Sequence, residues 1–321
     1  MSASSVLRRA LLYVPSSSQK MLTKSRGLNV DCIAYDLEDS VTPGKKAEAR
    51  HNLYQLLKQP KVEGVREQAV RINSVDSGYA LDDLTEVLKA PNIDSIVIPK
   101  VNSPSDLLFV TDIIRHLLPY RHPTTADAPR DQPPLSLIAL IESARSLTDL
   151  PSICAASPYL SGLIFAAEDF ALDLSLTRTP SLREFLYARS QIATCARSFN
   201  LPSTIDLVCT SYKGDAGVAA LEEEARDGKG LGFNGKQCIH PNQVEVCERV
   251  FAPEESEVEW AVRIVIADEK ADRAGRGAWT LDGKMIDVPV VGKAKAIVAK
   301  AEICGFDVNS MRETWKDQEP E

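Results

Sequence analysis

Short apolar runs recur along most of the chain, each followed by a segment whose apolar residues return at helical spacing. The runs are Ala10 to Val14, Cys32 to Tyr35, Ala69 to Ile72, Ser95 to Ile98, Leu135 to Ile141 and Leu160 to Phe165. They lack polar alternation, which is what strands of a parallel sheet covered on both faces require. Weaker runs at Thr204 to Leu207 and Lys236 to Ile239 bring the count to eight. Strand–helix alternation to about Phe251 predicts a (β/α)8 barrel, with a doubly wound open sheet as the alternative.

The segments between the runs carry start and stop signals. Thr42-Pro43 can open a helix whose apolar face is Ala49, Leu53, Leu56 and Leu57. Ser181 with Glu184 fits a capping box, followed by Leu182, Phe185, Leu186, Ile192, Ala196 and Phe199 near helical period. Tyr120 to Pro134 is proline-rich and polar and is expected to be an exposed loop on the face opposite a barrel's active site. Gly228-Lys-Gly-Leu-Gly232 lacks the strand-before, helix-after context of a phosphate loop and reads as a plain turn. After Ala252-Pro253 the pattern is helical only, roughly Ser256 to Ala274 and then Gly283 to Ala301. The glycine-bounded stretch from Gly275 to Gly283 between them is a candidate hinge or lid. Residues 1–251 are therefore expected to form the barrel and 252–321 a separate helical extension.

Composition narrows the classes. A chain of 321 residues, 44% hydrophobic and 26% charged, is ordinary for a folded protein and excludes disorder and low complexity. A formal charge of −8 argues against a general nucleic-acid binder. No apolar run approaches the roughly 18 residues of a membrane span, so none is expected. Seven cysteines without any C-x-x-C pair indicate buried thiols in a reducing compartment, not a disulfide framework or zinc site. Arg8, Arg9, Lys20, Lys24 and Arg26 precede the first acid, Asp31, as in a mitochondrial presequence. The strand at Ala10 leaves too little chain ahead of it for a full one, so cytoplasm is the expected location and the mitochondrion the alternative.

In a barrel, residues just past each strand point into the mouth. Those positions hold Asp36, Glu38 and Asp39 after the second run, Arg71 and Asn73 around the third, and Lys100 after the fourth. Glu142 follows the fifth, Glu168 and Asp169 the sixth, and His240 the eighth. Burying such a ring is costly unless its members are paired or metal-bound. Glu142 and Asp169 can converge on a hard cation, for which Mg²⁺ suits the donors, or they can be salt-bridge partners of Arg71 or Lys100. Arg71 can hold a developing oxyanion, clamp a carboxylate, or neutralise Asp36 or Glu38. Lys100 could form a Schiff base, but the adjacent carboxylates keep it protonated, which ranks a metal mechanism above an imine. His51 and His122 are expected at the surface, and His240 serves either as a hydrogen-bonding group or as a general base. No Ser/His/Asp or Cys/His triad is evident.

Seven motifs in order resemble the citrate lyase β-subunit-like family of the HpcH/HpaI aldolase superfamily, which includes malyl-CoA and citramalyl-CoA lyases. They are Arg9-Ala-Leu-Leu-Tyr-Val-Pro15, Asp36-Leu-Glu-Asp-Ser-Val41, Val70-Arg-Ile-Asn73, Leu140-Ile-Glu-Ser143, Ala167-Glu-Asp-Phe170, Gly235-Lys-Gln-Cys-Ile-His-Pro-Asn-Gln243 and Met285-Ile-Asp-Val-Pro289. The resemblance runs from about Arg8 to about Ala301. It implies a (β/α)8 barrel, Mg²⁺, and reversible cleavage of a 3-hydroxyacyl-CoA to acetyl-CoA and a 2-oxo acid. By motif, Glu142 and Asp169 look like the metal ligands and Arg71 like the residue beside the thioester oxygen, with Asp36, Glu38 and Glu168 in support. Tyr13, Lys20 and Lys24 match positions along the CoA and substrate path, and Ile239-His240 matches a backbone contact with the acyl-CoA. Asp287 matches an acid/base that the family supplies from a neighbouring subunit, which implies a homotrimer or a dimer of trimers. Read by itself, Asp287 is a helix N-terminal charge paired with Lys284. Ser16 stands where the family usually has glycine. The resemblance also admits thioester hydrolysis after condensation, a β-subunit working with an acyl-carrier partner, and a non-catalytic acyl-CoA-binding subunit.

Overall fold

The computed structural model describes residues 6–123 and 133–321. Eight parallel strands close into a barrel in sequence order: β1 (Ala10–Pro15), β2 (Val30–Asp36), β3 (Val65–Arg71), β4 (Ser95–Ile98), β5 (Ser136–Ile141), β6 (Leu160–Phe165), β7 (Ser203–Asp206) and β8 (Gly235–Cys238). β8 returns to β1 with Leu11 opposite Gln237, so the sheet has no edge. Helices follow the strands, as expected for a (β/α)8 barrel. The open-sheet alternative is thereby excluded.

Two apolar layers hold this unit together. Inside the barrel lie Leu11, Cys32, Ala34, Ala69, Val97, Ile138, Leu140, Ile164 and Ile205. The opposite strand faces pack on the helices through a larger core that includes Leu12, Ile33, Val70, Ile96, Leu137 and Phe165. Burial on both faces is why the strands read as continuous apolar runs. Ala49, Leu53, Leu56 and Leu57 are buried on the helix Lys46–Leu57, as their spacing predicts. All seven cysteines are free thiols.

Several local expectations are corrected. Ser181 and Glu184 do not form a capping box. Glu184 accepts from the Thr179 N–H and hydroxyl, Leu182 is left-handed (φ 52°), and the helix starts at Leu186. Leu186 is exposed as a result. Gly228 to Leu231 is the last turn of the helix Gly214–Leu231, ended by Gly232 at φ 103°, and not a free turn. A side chain at Gly228 would collide with the Asp206 carboxylate. Most of the predicted loop from Tyr120 to Pro134, residues 124–132, lies outside the described residues. Pro119–Arg121 forms a 3-10 turn.

Arg8–Phe251 forms one compact unit and Ala252–Glu321 belong to a second. The second unit is not purely helical. Between the helices Glu255–Arg273 and Val288–Cys304 lies an antiparallel hairpin of β9 (Trp279–Leu281) and β10 (Lys284–Ile286). Asp282 (φ 51°) and Gly283 (φ 71°) supply the two left-handed residues that a tight hairpin turn needs, so the proposed hinge ends in ordered sheet. Trp279, Leu281 and Ile286 bury this hairpin against Val258, Val262 and Val298. The second long helix therefore starts at Val288, not at Gly283.

Candidate active site

Strand parity sets what faces the barrel mouth. Tyr13 follows Leu11, Asp36 follows Ala34, Arg71 follows Ala69 and Glu142 follows Leu140, each two residues along the inward face. A cavity of about 450 Å³ opens here, lined by Tyr13, Asp36, Asp39, Arg71, Leu140, Ala166, Glu168, Asp169, Gln237 and Ile239, among others.

The loop after β2 folds around Asp36. Its Oδ1 accepts from the Glu38 N–H (2.8 Å) and its Oδ2 from the Ser40 N–H (3.0 Å). Arg71 meets the same carboxylate with two bonds, from Nε (2.7 Å) and Nη2 (2.8 Å). Burial pushes the Asp36 carboxyl up, but the bonds from Arg71, Ser40 and Glu38 outweigh it and hold it below the usual carboxylate range. Lys46 secures the loop from below by donating to the carbonyls of Leu37 (2.8 Å) and Glu38 (2.7 Å).

Arg71 Nη1 also lies 3.2 Å from Glu38 and 3.5 Å from Asp39. Burial works against its charge, and the bonds to Asp36 reverse that effect, so the guanidinium stays ionised. Lys100, two residues past β4, lies in the left-handed region at φ 51°, a strained conformation for a side chain of its size. Its ammonium reaches Glu38 Oε1 at 2.7 Å and Asp39 at 3.8 Å. Desolvation opposes the charge, yet Glu38 raises the Lys100 pKa, which keeps it protonated and a poor nucleophile. Glu38 itself is pushed up by burial despite both cations.

Glu142 and Asp169 stand differently. Neither forms an ion pair among the described residues, so the expectation that they bridge to Arg71 or Lys100 is not met. Those cations are taken by Asp36, Glu38 and Asp39. Burial first, then the charges of Glu38 and Asp169, push the Glu142 carboxyl up to about 8. Arg71 and Lys100 are thus paired with Asp36, Glu38 and Asp39, and the buried Glu142 carboxyl ionises readily only with a further positive charge beside it. An all-carboxylate donor pair outside any ion pair suits a hard divalent ion. Among the described residues no three His, Cys, Asp or Glu side chains form a protein-only cage. Two carboxylates with the remaining positions open to water and substrate oxygens is the habit of Mg²⁺.

The remaining candidates are spread more widely. Glu168 lines the cavity but is held by Arg178, which also donates to Glu224 (2.9 Å) and the Val208 carbonyl (3.0 Å). Ile239 lines the cavity, whereas His240 is not among the lining residues. His240 Nδ1 accepts from the Asn242 N–H (3.2 Å) and its ring stacks on Tyr212, a turn-capping role. Lys20 and Lys24 sit exposed on the helix Gln19–Ser25, without ion pairs among the described residues and outside the cavity lining. Asp287 lies in the second unit, where it caps the helix Val288–Cys304 by accepting from the Val290 N–H (3.2 Å). Lys284 lies over the Trp260 ring instead of pairing with it. Gln237, missed by the sequence reading, contacts Tyr13 (2.9 Å). Its signal was present, as a polar residue at an inward strand position.

The HpcH/HpaI aldolase/citrate lyase family model matches residues 9–241. The chain belongs to this family. A human relative, citramalyl-CoA lyase, mitochondrial, is 34% identical over 303 residues, covering 92% of this chain and 85% of that one. A (3S)-malyl-CoA thioesterase from Cereibacter sphaeroides is 33% identical over 294 residues, covering 92% and 94%. Among solved structures, the protein CitE of Mycobacterium tuberculosis in complex with magnesium, acetoacetate and coenzyme A has 27% identity and a TM-score of 0.69. That match spans 92% of this chain and 98% of the other. Family members thus share both the barrel and nearly the full length of the chain.

Proposed function

We propose that this protein is a Mg²⁺-dependent carbon–carbon lyase that cleaves a 3-hydroxyacyl-CoA, citramalyl-CoA or malyl-CoA, reversibly to acetyl-CoA and pyruvate or glyoxylate. The observation that carries the reading is the Glu142/Asp169 carboxyl pair, outside any ion pair among the described residues, beside a charged and immobilised Arg71. Glu142 and Asp169 would hold the metal. Bound there, Mg²⁺ would supply Lewis-acid polarisation to the oxo-acid half of the substrate.

The chain's own residues supply the rest. In cleavage the 3-hydroxyl gives its proton to solvent water as its oxygen becomes the carbonyl of the 2-oxo acid, the bond to the neighbouring methylene carbon breaks, and the electron pair of that bond passes to the acetyl thioester as an enolate. Arg71 stabilises that enolate with a charge already fixed in place by Asp36, so no reorganisation is needed as the charge develops. Asp287 delivers a proton to the terminal carbon in cleavage and removes it in condensation. Asp287 acts from a neighbouring copy, in a homotrimer or dimer of trimers. Lys20 and Lys24, unpaired and exposed, favour the anionic CoA moiety, in a cytoplasmic enzyme.

Incubation with citramalyl-CoA and malyl-CoA in the presence of Mg²⁺ should release acetyl-CoA with pyruvate or glyoxylate, and failure on both sinks the reading. Mixing Asp287→Ala with Arg71→Ala chains should restore activity that neither has alone, if sites are shared. The relative named malyl-CoA thioesterase favours a second reading, hydrolysis after condensation. Net production of free CoA from acetyl-CoA and a 2-oxo acid would select it.

A further inference from the structure

The proposed chemistry leaves one buried amide at the mouth without a role. Gln237, on β8, is 3% exposed. Its Nε2 donates to the Phe165 carbonyl at the end of β6 (2.9 Å) and to the Asp206 carbonyl at the end of β7 (3.1 Å). Both amide hydrogens are therefore used. A flipped amide would set Oε1 against two carbonyl oxygens, so the orientation is fixed.

That orientation dictates the state of Tyr13. The Tyr13 hydroxyl lies 2.9 Å from Gln237 Oε1, an atom that can only accept. The phenol hydrogen consequently points at Gln237, and the oxygen offers only lone pairs elsewhere. The Tyr13 ring is in turn the platform for Arg71, whose guanidinium carbon sits 4.6 Å from the ring centroid. Asp36 fixes the edge of the guanidinium and Tyr13 fixes its face.

We propose that Gln237 is a positioning residue for the lyase reaction, acting through the Tyr13 hydroxyl to hold the ring against which Arg71 keeps a single pose. This deepens the functional reading above and rests on it. The competing role is structural, since the same amide ties β6 and β7 to β8. The two roles separate by what they move. An arginine that stabilises developing charge must be placed for the transition state, so its displacement lowers kcat more than it raises KM. A strand tie alone lowers the melting temperature and leaves the kcat of folded protein unchanged.

The test is a double-mutant cycle of Tyr13→Phe, Gln237→Leu and the double variant, assayed on citramalyl-CoA and malyl-CoA. Each single change should lower kcat by about ten- to a hundredfold, the scale of a small misplacement at a reacting centre. KM should stay within about threefold. The double variant should be no worse than the poorer single, because both cut the same link. Losses that multiply in the double variant overturn the proposal, as does an unchanged kcat in Gln237→Leu. Should Gln237→Leu fail to fold, Tyr13→Phe decides alone: it leaves the strand tie intact, so an unchanged kcat refutes positioning and a lowered kcat at constant KM supports it. If the wild type turns over neither thioester, the functional reading fails. The Gln237–Tyr13–Arg71 link is then read by the same cycle in acetyl-CoA affinity, with Arg71→Met as a third member. Non-additivity across all three supports the link and additive effects overturn it.

Discussion

Strand β3 carries both kinds of charged site that this barrel builds. At its base Glu67 faces inward, two positions below Ala69, and at its mouth Arg71 does so two positions above. The base is balanced: Arg8 meets Glu67 at 2.6 and 2.8 Å and also donates to Ser136 and Ser161 (3.0 Å each). Arg9 likewise takes Asp31 with two bonds (2.8 and 2.9 Å). Gly162 leaves room for this cluster, since a Cβ there would crowd Ser203 and the Arg8 guanidinium. The mouth is unbalanced, with Glu142 and Asp169 outside any ion pair and Glu142 pushed up to about 8, chiefly by burial. Charge that is satisfied from within the chain serves the fold, whereas charge left over is available to something the chain binds.

The sharpest break between the two ends should come from removing one mouth carboxylate. Glu142→Gln and Asp169→Asn are each expected to lower turnover of the CoA thioesters by at least about a hundredfold, the usual scale for losing a main electrostatic element of a site. Their melting temperatures should hold or rise, because burying a carboxyl group outside any ion pair costs the fold energy. A large fall in melting temperature with activity retained would place these residues with the base instead.

The base should answer in the opposite way. Glu67→Gln leaves Arg8 buried without its counter-charge and is expected to cost about 3–5 kcal/mol of stability, read by denaturant unfolding. Turnover per folded molecule should be unchanged. The pH dependence follows from the same pair. Burial pushes the Glu67 carboxyl up, but the charge and bonds of Arg8 hold it below its ordinary value. A carboxyl with a depressed folded pKa contributes stability that is fully present above the unfolded value, about 4.3. That contribution is lost as pH falls through the folded value. Wild type should therefore lose stability on acidification below about pH 4.3, and Glu67→Gln should lack this component. Parallel acid-unfolding curves for the two proteins would show that the pair is not the source.

The contrast between the ends also explains what could be read from sequence. The strands were legible because both faces are buried, and β4 and β6 fall on their apolar runs residue for residue. The mouth residues were legible because a barrel presents whatever follows each strand. Which acid would pair with which cation was not, since Asp36 captures Arg71 through loop N–H groups whose placement depends on how Glu38 and Ser40 fold back. The hairpin of the second unit was missed although Asp282-Gly283 is a strong turn signal. Its strands are only three residues each, too short to show periodicity. Gln237 showed only as a polar residue at an inward strand position, because its partners are carbonyls of two other strands that sequence spacing does not record.

The smallest expected effect belongs to charges that are neither balanced nor crowded. Lys20 and Lys24 are exposed and unpaired on the helix after β1, and Lys24 lies in its last turn. An exposed lysine interacting with an anionic ligand contributes up to about 1 kcal/mol, so Lys20→Ala and Lys24→Ala should each raise KM for the acyl-CoA about two- to fivefold. Neither should alter kcat, because the CoA phosphates lie away from the bond that breaks and bind equally before and during cleavage. The decisive feature is salt. Screening shortens the reach of exposed charge from about 10 Å at 0.1 M salt to about 3 Å at 1 M, so the variants and wild type should converge in KM as salt rises. The Arg71→Ala defect should persist at high salt, since Arg71 acts from a buried, preformed pair with Asp36. If the lysine variants keep their full KM defect at 1 M salt, or lose kcat, these lysines belong with the preformed charges of the mouth and not with its rim.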